Sequence, residues 1–208
     1  MKKKSVLIGF TTLLMLLVFT TSVLGASLYL DIMQDGTTDT GYDFDTDMTI
    51  VGASLPYDDF QFDFEYIDGE LTEPGIEFNN YSLKAGYTLV KHKDLKLIGK
   101  IGYLNGELEL GSYDLEFDSM LLGLEADFKI TGRTSLNLGL DYGFCGESAL
   151  GPFEEDLDSL LQYQIKLNYL IDQNLGLSLG YRATNIEDTV LLSELNTRGL
   201  TFGVFYTF

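Results

Sequence analysis

The chain has 208 residues, with 13 Lys and Arg against 32 Asp and Glu and a formal net charge of −19 at pH 7. A chain this acidic is repelled by nucleic acid and by anionic head groups, which excludes charge-driven binding to either. Cys145 is the only cysteine, so no intramolecular disulfide is possible and the framework must be held by secondary structure.

Residues 1–25 have the pattern of a secretory signal. Lys2, Lys3 and Lys4 form a basic start, and an apolar run follows from Val6 to about Val18. Val23 and Gly25 are small enough for the −3 and −1 positions, so cleavage is expected before Ala26. The run is short for a helical span of about 20 residues. No later stretch is apolar for that length. Cleavage removes three lysines and no acid, which moves the net charge to −22 and leaves a length suited to one domain, 26–208.

Ten strands are expected from alternation, at about 26–33, 44–55, 60–68, 79–90, 95–106, 115–130, 135–146, 158–170, 175–185 and 196–208. The third places Phe60, Phe62, Phe64 and Tyr66 on one face, and the fourth Tyr81, Leu83, Ala85, Tyr87 and Leu89. The seventh does so with Leu136, Leu138, Leu140, Tyr142 and Phe144, and the eighth with Leu161, Tyr163, Ile165, Leu167 and Tyr169. The sixth changes phase. Leu115 and Phe117 are odd, whereas Met120, Leu122, Leu124 and Phe128 are even, so a bulge near Ser119 is expected.

The opposite faces carry charge and glycine. Asp63 and Glu65 are expected to face Lys84, Lys96 and Lys100 to face Glu125 and Asp127, and Asp141 to lie between Lys129 and Lys166, with Arg182 nearby. Charges withdrawn from bulk water must be paired, so these residues are expected to form an ion-pair network that fills a narrow lumen. A conducting, charged pore lining is the alternative. Short turns are expected at Pro56-Tyr57-Asp58, Lys91-His92-Lys93-Asp94, Thr131-Gly132-Arg133-Thr134 and Asp172-Gln173-Asn174. Longer acidic loops are expected at 34–43, 69–78, 107–114, 147–157 and 186–195. Asp43, Asp45 and Asp47 have the spacing that opens a calcium loop, but Met48 and Ser54 replace its glycine and closing acid, so they are weak metal ligands. His92, the only histidine, sits in a short turn, and Cys145 is expected as a small filler on the polar face. No catalytic site and no cofactor are expected.

The last stretch, Leu-Thr-Phe-Gly-Val-Phe-Tyr-Thr-Phe, puts Leu200, Phe202, Val204, Tyr206 and Phe208 on one face. It resembles the C-terminal strand of bacterial outer-membrane β-barrels, in which Phe202, Val204, Tyr206 and Phe208 would be read by the barrel-assembly machinery. The pattern of the whole chain is similar to the outer-membrane protein A and X barrels and the wider porin-like superfamily. That resemblance implies an all-β, antiparallel up-and-down transmembrane barrel, of ten strands on this reading and eight in the familiar small barrels. It implies outer-membrane lipid as surroundings, with divalent cations as possible partners of the acidic rim and no nucleic acid. The expected role is a structural or surface barrel with a charged, side-chain-filled lumen. A narrow cation-preferring channel and an adhesin acting through acidic loops are the alternatives.

Overall fold

A computed structural model describes residues 25–40, 43–72, 75–110, 113–150, 153–188 and 193–208. Residues 1–24 of the expected signal lie outside the described residues. The strands are β1 (Ser27–Asp39), β2 (Asp43–Tyr57), β3 (Phe60–Leu71), β4 (Ile76–His92), β5 (Leu95–Leu110), β6 (Tyr113–Lys129), β7 (Thr134–Leu150), β8 (Phe153–Leu170), β9 (Leu175–Asp188) and β10 (Ser193–Thr207). Each pairs antiparallel with the next, and β1 closes on β10, from Ser27 opposite Thr207 to Asp39 opposite Asn196. Closure leaves no free sheet edge, the condition for a sheet in hydrocarbon. At the seam the Gly25 amide donates to the Phe208 carbonyl at 2.9 Å, and the Phe208 amide to that of Ala26 at 2.8 Å.

The half of the barrel nearer the termini is apolar outside. Leu122, Leu140, Ile165 and Phe202 are 60%, 47%, 49% and 55% exposed. Along β8 the outward series runs through Leu161, Tyr163, Ile165, Leu167 and Tyr169 to Ile171. At about 3.3 Å per residue and a tilt of about 40°, that series spans about 25 Å, the height of the apolar band of a membrane barrel. The bilayer therefore occupies this half. Tyr81, Tyr142 and Phe144 stand exposed along its upper boundary, and Phe60, Tyr87 and Tyr206 along its lower one.

Above the band the strands continue and their faces swap. Met33, Met48, Ile50, Ile67, Leu104, Phe117, Leu121, Leu157, Leu160 and Ile186 are buried inside, while Asp43, Asp45, Asp47, Glu70, Glu77, Glu116, Glu147 and Asp156 are exposed outside. Water replaces lipid as the outer solvent here, so apolar burial favours the opposite arrangement. This corrects two expectations. The segments expected as long loops are mostly strand, and the connections are two to four residues at both rims. The phase change in β6 is also not a bulge in that strand. Leu115, Phe117, Ser119, Leu121 and Glu125 all point inward in one unbroken register with β5. The apolar residues move from the inner face to the outer face where the strand enters lipid.

The bulge near Ser119 lies on the partner strand. Between the pairs Asp118–Glu147 and Met120–Phe144, β7 has one residue more than β6. Cys145 is at φ 55° and is exposed. It is an outward bulge residue and not a filler on the lumen face. In the turn between β8 and β9, Asp172 accepts the amides of Asn174 and Leu175 at 2.7 Å each. These two donors hold its carboxyl below the usual range.

Candidate functional site

The lumen beside the bilayer is lined by side chains that short glycines leave room for. A Cβ at Gly123 would collide with the Asp141 carboxylate, and one at Gly203 with that of Asp31. The charges these glycines accommodate reach across the barrel. Lys100, on β5, bridges Asp63 on β3 at 2.5 Å and also Glu125 on β6. Lys84 on β4 pairs with Asp141 on β7. Lys166 on β8 meets Asp31 on β1 at 2.5 Å and lies 4.6 Å from the Tyr29 ring centre. Arg182 on β9 meets Glu65 on β3 at 2.7 Å, and the Tyr29 hydroxyl donates to Glu65 at 2.8 Å.

Lys100 meets Glu125 on the neighbouring strand as expected, and the other partners differ from the neighbour-strand expectation. Lys84 pairs with Asp141, not with Asp63 or Glu65. Lys96 donates to the Gln61 amide oxygen at 2.9 Å, and Asp127 accepts from Asn137 at 2.7 Å. Lys129 lies exposed at the turn rim. The interior of a barrel this narrow is crossed by one lysine, so the nearest acid in space is often on a distant strand. Asp31 lies outside the set of charges expected from the sequence to line the lumen. It is 2% exposed, and Ser178 donates to it at 2.7 Å besides Lys166. Its position between outward Leu30 and Ile32 is the signal that marks it.

The ion pairs do not fill the lumen. A cavity of about 620 Å³ runs from Lys84, Lys100 and Asp141 down to Thr131, Arg133 and Thr207 at the turn rim. Above it lie two apolar clusters. Leu104, Phe117, Leu121, Leu157, Leu160 and Ile186 form one buried cluster. Met33, Met48, Ile50 and Ile67 form a second, with Tyr29 and Phe78 packed against it. Between the clusters a space of only about 40 Å³ remains, reached by Arg182 from below.

The calcium-loop reading of Asp43, Asp45 and Asp47 is corrected by β2. The three carboxylates lie in a row on the outer face of a strand, about 7 Å apart from one to the next, and do not converge on one ion. No group of three potential ligands that could hold a metal occurs among the described residues. These acids instead join a collar in which like charges face each other. Asp47 is opposite Glu70, and Glu70 opposite Glu77. Glu107 is opposite Glu116, and Glu147 lies between Asp118 and Asp156.

A closed ten-stranded barrel with a lipid-facing band, a charged lumen and an outward polar extension defines an outer-membrane-type β-barrel. No protein-family model matches the sequence, and no curated protein matches it. Among solved structures the chain is similar to the outer membrane protease OmpT from Escherichia coli, with 10% identity, a TM-score of 0.62, and coverage of 90% of this chain and 98% of that one. That likeness is one of fold. Neisserial surface protein A aligns at 15% identity and TM-score 0.45, covering 88% and 97% of the two chains. The attachment invasion locus protein Ail of Yersinia pestis aligns at 16% and 0.44, covering 89% and 99%.

Proposed function

We propose that this is an outer-membrane barrel with a structural or surface role, sealed against passage of solutes. The observation that carries the reading is the pair of apolar clusters across the lumen above the cavity. Planar bilayers containing the refolded protein are expected to stay silent. Leu121→Ser combined with Leu160→Ser, which wets the seal, is expected to produce small openings. Steady conductance by the wild type would instead promote the narrow cation-preferring channel.

Export would begin with cleavage before Ala26, and the intact mass of the protein from membrane fractions is expected to correspond to residues 26–208. Phe202, Val204 and Tyr206 on the outer face of β10 and Phe208 just beyond it, each more than 40% exposed, would be what the assembly machinery reads. The solved protease neighbour does not extend to chemistry here. The only histidine, His92, lies at the turn end of β4, away from the rim that carries the extension. An adhesin reading is favoured by one observation, the exposed acidic collar, which suits a basic partner and attracts divalent cations as counter-ions.

A further inference from the structure

The cavity in the lower half is a cup. It is closed above by the apolar clusters and lined at its mouth by the turn residues Thr131, Arg133 and Thr134. Both described ends of the barrel, Gly25 and Phe208, lie at this rim, which in membrane barrels of this type faces the periplasm. The charge balance of the cup differs from that of the chain. Six cations and five acids line it, whereas the whole chain has 13 basic and 32 acidic residues.

Pairing sharpens the difference. Lys84 and Lys166 each have one carboxylate partner, Lys100 has two, and Glu65 is taken by Arg182. Lys96, Lys129 and Arg133 form no ion pair among the described residues, and Lys96 has only an amide oxygen as its acceptor. Register and turn place these three together. Lys96 is opposite Asp127 on β6, Lys129 follows two residues later on the same strand opposite Ser135, and Arg133 occupies the turn beyond. Asp127, the acid beside them in the cavity lining, is engaged by Asn137 at 2.7 Å, and Asp94, whose carbonyl accepts the Lys129 amide at 2.8 Å, stands exposed in the adjoining turn. Neutral donors and acceptors, among them Gln164, Asn168 and Ser178, line the facing wall. A volume of about 620 Å³ falls within the range of small-molecule sites.

We infer that the cup is a periplasm-facing binding site for a small anionic solute bearing phosphate or carboxylate, held by Lys96, Lys129 and Arg133. The periplasmic side rests on the reading of the chain as an outer-membrane barrel with its ends at the periplasmic rim, and the anion preference does not. The test uses full-length mature protein in detergent, with Cys145→Ser as background and Ser135→Cys as reporter. A negatively charged methanethiosulfonate is expected to label the reporter about tenfold faster than a positively charged one. Lys96→Gln, Lys129→Gln and Arg133→Gln together are expected to bring the two rates level. Inorganic phosphate or citrate is expected to slow labelling beyond chloride at equal ionic strength, and to lose that effect in the triple variant. Equal or cation-favoured rates in the parent, or no protection by either anion, would overturn the inference. Because labelling is read in detergent, its outcome is independent of whether the barrel conducts. Heat-modifiable migration of each variant separates loss of binding from loss of fold.

Discussion

Arginine in place of Leu140 is expected to destabilise the bilayer-embedded barrel by about 2–4 kcal/mol, the measured scale for a cation near the midplane of a barrel's lipid face. Leu140 is 47% exposed, in the middle of the outward series of β7 that runs from Leu136 to Phe144. Its exposed side faces lipid, between Leu124 and Tyr163 on the neighbouring strands. The same residue type in the collar is expected to act in the other direction. Glu70 lies directly opposite both Asp47 and Glu77, so Glu70→Arg replaces two like-charge contacts by two attractive ones. That change is expected to stabilise by about 0.2–1 kcal/mol per pair. Bilayer refolding titrations in urea measure both. Equal cost at the two sites would mean that the exterior does not change solvent between them.

Loss of Lys100 is expected to be the most damaging change inside the lumen. Its side chain is 7% exposed and bridges Asp63 and Glu125. Lys100→Ala leaves two carboxylates adjacent with no cation between them, which for a buried pair costs about 3–5 kcal/mol. The cavity below admits water, so about 3 kcal/mol is the expected value. Adding Glu125→Ala removes one of the stranded charges, and the double variant is expected to be more stable than Lys100→Ala alone. A strictly additive pair would show that Lys100 and Glu125 are not coupled. On the proposed seal, conductance is expected to remain absent in both, because Leu104, Leu121 and Leu160 lie above this level.

The ten strands, their antiparallel order and the outer face of the lower half were legible in the sequence, because a period of two in apolar residues is set by one solvent boundary at a time. Leu136 to Phe144 and Leu200 to Phe208 report lipid directly, residue by residue. The collar was harder to read. There the same alternation continues in the opposite sense, and Glu107, Glu109, Glu116 and Asp118 look like loop composition until Leu108 is seen opposite Leu115 and Leu104 in one buried cluster with Phe117.

By itself the sequence determined that this chain closes as a membrane barrel and which residues meet lipid, since those properties follow from local spacing and from the free-energy cost of exposing apolar or polar groups to the wrong solvent. Only the tertiary structure decided which charges pair, because Lys84 with Asp141 and Arg182 with Glu65 are joined across the lumen by strands far apart in the chain. It also decided where the apolar residues of the upper half gather. Leu104, Phe117, Leu157 and Leu160 come from three strands, and only the curvature of a closed sheet brings them onto one axis.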